Sequence, residues 1–145
     1  MLPRQIDLQD LFNWRNNEIT RSMFVSTDVV EWDTHVQWYR AVMLDTARLI
    51  LIGEDESGKV GMVRFDLNAE RTTAEVSINL NPGRRRQGLS SQILRLAIDS
   101  ADVPREIRLV ARIKSINIAS IKCFERCRFE CYFEDKIYKF YCLQT

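Results

Sequence analysis

Apolar residues recur at helical spacing in four stretches of the chain and alternate at strand spacing in others. Leu8, Leu11, Phe12 and Arg15 fall on one face of a predicted helix, Asp7 to Asn17. The stretch from Met23 to Val30 reads as a loop. A second helix is predicted from near Thr34, where Thr34 and Gln37 have capping-box spacing and Val36, Tyr39 and Met43 share a face. Three strands follow: Arg48 to Glu54, Lys59 to Leu67 and Thr73 to Leu80. In the second, Val63, Phe65 and Leu67 oppose Arg64 and Asp66. In the third, Val76, Ile78 and Leu80 point one way and Glu75, Ser77 and Asn79 the other. A helix from Leu89 to Ala101 turns Leu89, Ile93, Leu96 and Ala97 inward. Ile107 to Ile113 is a strand. Asn117 to Cys127 is a helix that Asn117 can cap, with Ile118, Ile121 and Phe124 on one face. Phe129 to Phe133 and Ile137 to Leu143 close the chain as strands. This order predicts one α/β (α+β) domain spanning residues 1–145, with a mixed central sheet and about four flanking helices.

Composition narrows the partners. The chain has 145 residues, 46% of them hydrophobic and 28% charged, with a formal net charge of +1. Near neutrality does not favour nucleic acid or an anionic membrane as partner. No apolar run approaches the ~18 residues that span a bilayer, and the first residues lack a signal-peptide stretch. A soluble cytoplasmic protein is expected. The four cysteines, Cys123, Cys127, Cys131 and Cys142, lie far from the one histidine, His35, and lack zinc spacing. They are expected to be packed thiols, with no metal site.

The stretch Asn81-Pro-Gly-Arg-Arg-Arg-Gln-Gly-Leu-Ser90 joins the third strand to the next helix. Pro82 and Gly83 break the strand, and Gly88 sits where the helix begins. The first turn of a helix has unpaired N–H groups and a partial positive charge, so it attracts anions. Arginine adds fork-shaped donors for phosphate oxygens. The local evidence leaves two readings open, a pyrophosphate cradle and a solvated basic turn. A P-loop is excluded because Leu89 stands where its lysine belongs, and G-x-G-x-x-G is absent. Three arginines with no basic stripe around them do not make a nucleic-acid patch.

Arg85-Arg86-Gln87-Gly88-Leu89-Ser90 resembles the acetyl-coenzyme A loop [Q/R]-x-x-G-x-[G/A] of the GCN5-related N-acetyltransferases (GNAT), with Ser90 in place of the small residue. Asn117-Ile-Ala-Ser120, followed by Phe124-Glu-Arg-Cys-Arg-Phe129, resembles the family's later helix. Together the likeness covers nearly the whole chain. It implies a sheet of about six or seven strands, acetyl-CoA as co-substrate and acetyl transfer to a primary amine. Phe-Asn-Trp14-Arg15-Asn16 and His35-Val-Gln-Trp38 resemble a branch that includes acetyltransferases of nucleotide-linked amino sugars of the pseudaminic-acid type. The same branch includes ribosomal-protein N-terminal acetyltransferases.

The resemblance also implies roles. The pantetheine arm would lie along Ile78, Asn79 and Leu80, with a main-chain N–H near Asn79 on the thioester oxygen. The phosphates would meet Arg85, Arg86, Gln87, Gly88, Leu89 and Ser90. Asn117 and Phe124 would contact the coenzyme from the later helix. Glu75 is the candidate general base, against a plain strand-end glutamate. Phe124 stands where the family often has a proton-donating tyrosine, so the acid is either absent or another group such as Tyr132, Tyr138 or Ser120. Cys123 would face about 100° away from Phe124 around the helix. Arg128 stands where the family has a helix-ending glycine.

The acceptor pocket would draw on Trp14, Arg15, Asn16, Met23, Phe24, His35 and Trp38, with Tyr138 opposite. Each has a plainer reading: Trp14 and Trp38 as core, Arg15 paired with a carboxylate, His35 at the surface. A small-molecule amine, first of all a nucleotide-linked amino sugar, is the expected acceptor, and a protein N-terminus the alternative. A homodimer is left open. A non-catalytic acyl-CoA-binding domain and a zinc-stabilised module are the competing classes.

Overall fold

Strand β3 (Thr73–Leu80) takes the bounds that its alternation predicts, and it lies at the centre of the sheet. The computed structural model describes residues 7–23, 28–85, 87–101, 103–104 and 106–143. Among these, β1 (Arg48–Asp55), β2 (Gly58–Leu67), β3, β4 (Arg108–Lys114), β5 (Phe129–Glu134) and β6 (Tyr138–Leu143) form one sheet in the order β1-β2-β3-β4-β6-β5. Every neighbouring pair is antiparallel except β3 and β4. The helices are α1 (Leu8–Asn16), α2 (Glu18–Met23), α3 (Trp32–Leu44), α4 (Ser90–Ser100) and α5 (Ile118–Arg126). The α/β class and six-stranded mixed sheet agree with the sequence, with one helix more than expected.

Alternation along the strands divides the core in two. Val63, Phe65, Ala74, Val76, Ala111, Ile113 and Tyr141 pack against Ile93, Leu94 and Ala97 of α4 and Ile121 and Phe124 of α5. Phe124 meets Phe129 edge to face, with centroids 4.9 Å apart and planes at 86°. On the opposite face Ile50, Ile52 and Met62 pack against Leu8, Leu11 and Trp14 of α1 and Tyr39 and Val42 of α3. Lys59 anchors the start of α1 by ion pairs with Asp7 and Asp10, both at 2.6 Å.

Packing overrides the sequence in several places. Helix α3 starts at Trp32, ahead of Thr34, and its N-cap, Glu31, makes no side-chain cap bond. Trp32 instead sets the start by packing its ring on Phe12 at 5.0 Å. Val42 is buried where Met43 was expected and Leu94 where Leu96 was expected; Met43 and Leu96 are exposed. The rest of each predicted face holds: Tyr39, Ile93 and Ala97 are buried, and Val36 and Leu89 pack against the core. Three cysteines are packed as expected, but Cys131 is exposed, because β5 is an edge strand with little over either face. Helix α5 ends in a left-handed turn at Arg128, φ 70°, without the glycine that would favour it. No described helix is long and apolar enough to cross a membrane.

Candidate active site

The parallel pairing of β3 with β4 is short. It joins Thr73, Ala74 and Glu75 to Arg108, Leu109 and Val110 and then stops, while both strands continue. A cleft of about 980 Å3 opens where they part. All six residues from Glu75 to Leu80 line it. Side chains of a strand alternate between faces, so a cleft touching six in a row reaches both faces and the strand edge between them. The edge offers main-chain N–H and C=O groups that have no ladder partner on β4. Gly61 keeps this end of β3 close to β2, since a Cβ there would lie 2.7 Å from the Asn79 carbonyl oxygen.

On the α4–α5 side the cleft meets the arginine stretch. Asn81 shapes the exit from β3: its Oδ1 accepts from the Gly83 N–H at 3.1 Å, and its Nδ2 donates to the Lys59 carbonyl at 2.9 Å. Pro82–Arg84 then form a 3-10 turn. Arg84 points away from the cleft. Its Nη1 donates to Asp55 at 2.9 Å, Nη2 donates to the other Asp55 oxygen, and Nε donates to the Gln87 side chain at 3.1 Å. The guanidinium holds the Asp55 carboxyl below its usual range. Arg85 turns inward and donates to the Thr20 hydroxyl. Arg86 lies outside the described residues. Gly88 adopts φ +70°, and a Cβ there would meet nothing within 4 Å. The position thus selects glycine by its backbone angle rather than by crowding. Leu89 precedes α4 without a side-chain cap bond, and Gly88, Leu89 and Ser90 border the cleft.

From α5, the Asn117 Oδ1 accepts from the Ser120 N–H at 3.2 Å, the cap its sequence predicts. Phe124 is buried and borders the cleft. So does Cys123, which was expected to face elsewhere; α5 is packed over more than one face, so both residues meet the cavity. Burial pushes the Cys123 thiol up to about 11.

On the α1–α3 side the register puts Met62 opposite Asn79, Arg64 opposite Ser77 and Asp66 opposite Glu75, on one face. Glu75 is half-exposed and its Oε1 lies 4.0 Å from the Arg112 guanidinium, which lies over the Tyr138 ring at 5.4 Å. Asn79 is 4% exposed, and its Oδ1 has no hydrogen-bond partner among the described residues. Arg15 borders the cleft, and burial together with the charges of Arg21 and Arg64 depresses its pKa.

Several acceptor candidates take other places. Trp14 belongs to the core, 4% exposed among Leu8 and Leu11, because α1 turns that face to the sheet. Asn16 clasps the Val30 main chain, with its Nδ2 donating to the Val30 carbonyl at 2.8 Å and its Oδ1 accepting from the N–H at 2.7 Å. Gln87, expected at the coenzyme phosphates, instead turns its side chain to Arg84. His35 is buried, not superficial: its Nε2 donates to the Leu8 carbonyl at 3.0 Å and its ring stacks on Trp38 at 5.4 Å. Burial lowers its pKa, so the neutral ring is favoured. His35 and Trp38 both border the cleft. Tyr132 is exposed beneath Arg108, away from the cleft, whereas Ser120 and Tyr138 border it. Phe24 lies outside the described residues. Sequence reasoning missed Thr20, Arg64 and Arg112; the strand register reveals the two arginines, and the packing of α2 against Arg85 reveals Thr20. Among the described residues no group of His, Cys, Asp and Glu could hold a metal ion.

Comparisons with known proteins agree on one family. A family model described as Acetyltransferase (GNAT) domain matches residues 2–130. The uncharacterized N-acetyltransferase YfmK of Bacillus subtilis (strain 168) is 28% identical over 123 residues, 85% of this chain and 78% of that protein. Spermidine N-acetyltransferase from Vibrio cholerae, solved with CoA and spermine, superposes with a TM-score of 0.83 at 18% identity, covering 99% of this chain and 92% of that one. Campylobacter jejuni N-acetyltransferase PseH, solved with acetyl coenzyme A, gives 0.74 at 16% identity, covering 99% and 93%. At such identities the solved structures share the fold.

Proposed function

The chain belongs to the GNAT acetyltransferase family, and from that premise we propose that it transfers acetyl from acetyl-CoA to the primary amine of a small molecule. The observation that carries this reading is the parting of β3 from β4 beside Gly88 and the start of α4. An extended amide-bearing arm can pair with the free edge of β3 at Ile78, Asn79 and Leu80, as a strand adds to a sheet. The arm's pyrophosphate then meets main-chain N–H groups between Arg85 and Ser90, where the helix dipole favours negative charge. Gln87 contributes main chain to this loop, Asn117 its amide nitrogen, and Phe124 an apolar wall.

The amine attacks the thioester carbonyl from the α1–α3 side. The new C–N bond forms as the carbonyl oxygen gains charge, held by a main-chain N–H near Asn79. Glu75, through water, takes the ammonium proton. The intermediate then expels the coenzyme thiolate. Phe124 has no proton to give, and none is required: a thiol pKa of about 8.5 makes the thiolate a competent leaving group that takes its proton from water. Tyr138, Ser120 and the neutral Cys123 thiol border the path.

A nucleotide-linked amino sugar is the acceptor this reading favours, received among Arg15, His35 and Trp38. A cleft near 980 Å3 is at the upper end of single-ligand pockets, enough for donor and acceptor end to end. Acetyl-CoA at ~100 times its Kd should stabilise the protein by roughly 2.7 kcal/mol in thermal unfolding. A thiol-release assay with a UDP-4-amino sugar and with peptide N-termini then tests the acceptor. Absence of stabilisation would remove the coenzyme reading, and turnover of peptides alone would replace the sugar.

A further inference from the structure

The acceptor side of the cleft is crowded with positive charge. Arg15 and Arg64 border it from α1 and β2, and Arg112 from β4. Arg21, on α2, stands near enough to Arg15 to act on it electrostatically, and its Nε is buried with no hydrogen-bond partner among the described residues. Among the described residues, one carboxylate on β2 and one on β3 lie beside these guanidiniums. Asp66 already pairs with the Arg64 Nε at 2.9 Å and lies 3.9 Å from Arg48. Glu75 lies beside Arg112. Glu75 is the one carboxylate that borders the cleft among the described residues. A polyamine brings several ammonium groups and needs several carboxylates to receive them. Here its second and third charges would lie among guanidiniums at close range, a juxtaposition that opposes binding.

We infer that the acceptor carries an anionic group, phosphate or carboxylate, bound by Arg15, Arg21 and Arg64 while its amine faces Glu75, and that polyamines are excluded. Planar guanidiniums suit both anions through paired N–H donors. The anion fixes the amine at the mouth of the thioester, and Glu75 takes its proton. This rests on the acetyl-transfer reading and sharpens it, because it names the chemistry the acceptor must present. It also separates this chain from the spermidine enzyme whose fold it shares.

The test runs four amines at saturating acetyl-CoA: a UDP-4-amino sugar (phosphate anion), an α-amino acid (carboxylate anion), an uncharged methyl glycoside of an amino sugar, and spermidine. At least one anionic amine should be turned over with kcat/KM falling as salt rises, and spermidine should not. Arg64→Gln and Arg21→Gln should each raise KM for that amine about tenfold, the weight of a charge-assisted contact, with the midpoint for acetyl-CoA stabilisation unchanged. Turnover of spermidine within tenfold of the best anionic amine overturns the inference. Unchanged KM in both variants overturns it too, as does no turnover of either anionic amine while acetyl-CoA still stabilises the protein. Loss of acetyl-CoA binding in the unmodified protein instead removes the donor reading on which it rests.

Discussion

The two sides of the cleft meet a ligand with different parts of the chain. Toward α4 and α5 the cleft offers main chain: the free edge of β3, the left-handed Gly88 and an uncapped helix start. The most visible side chains there look elsewhere, Arg84 to Asp55 and Gln87 to Arg84. Toward α1 to α3 it offers side chains: Arg15, Arg64, Glu75, Asn79 and Arg112. Main-chain recognition depends on path and tolerates many sequences. Side-chain recognition changes with a single substitution and leaves the fold intact. One scaffold can therefore keep its donor and exchange its acceptor, and likeness of fold carries the first without the second.

Substitutions can break this contrast, and the largest effect is expected at Glu75. Glu75→Gln should lower turnover ~100- to 10,000-fold at neutral pH, the weight of a general base, with acetyl-CoA affinity unchanged by calorimetry. Equal loss of coenzyme affinity would mean that the sides are not separable. Gly88→Val forces a β-branched residue into a left-handed angle and should weaken acetyl-CoA binding about 10- to 100-fold. Arg84→Ala, measured in the same titration, should change it by no more than about fivefold, since its partners lie outside the cleft. The reverse order would assign the site to arginine side chains.

Acid should act on the α1–α3 side. Burial holds the His35 pKa below its unfolded value of about 6.5, so the unfolded chain binds the extra proton. Stability should therefore fall as pH drops through about 6.5 toward the folded pKa. His35→Gln, which can still donate to Leu8, should flatten that part of a melting-temperature profile. The smallest effect lies outside the cleft. Arg128→Gly relieves a left-handed residue and should stabilise by up to about 1 kcal/mol, a rise of a few degrees in Tm, without touching either ligand.

The contrast also explains what could be read in advance. Strand β3, the Asn117 cap and the Gly88 junction were legible because strand period, capping chemistry and a backbone angle act within a few residues. Trp14 and Asn16 were drawn toward the acceptor by their chemistry, and the plainer reading of His35 put it at the surface. Their partners, the core, the Val30 main chain and the Leu8 carbonyl, were fixed by tertiary packing. Arg64 escaped notice because its place depends on standing opposite Ser77, which no local pattern encodes. Arg84 drew attention as part of a basic run and proved to be a strut between two turns.

Asn79 shows how such a site weighs on the fold that carries it. A buried amide oxygen that finds no donor among the described residues, and none from solvent, costs on the order of 1–3 kcal/mol. Replacement by leucine would remove that cost, and the free protein should gain in melting temperature as the acceptor side loses a polar contact. A gain in melting temperature together with a loss of turnover would mark Asn79 as a stability–activity trade-off.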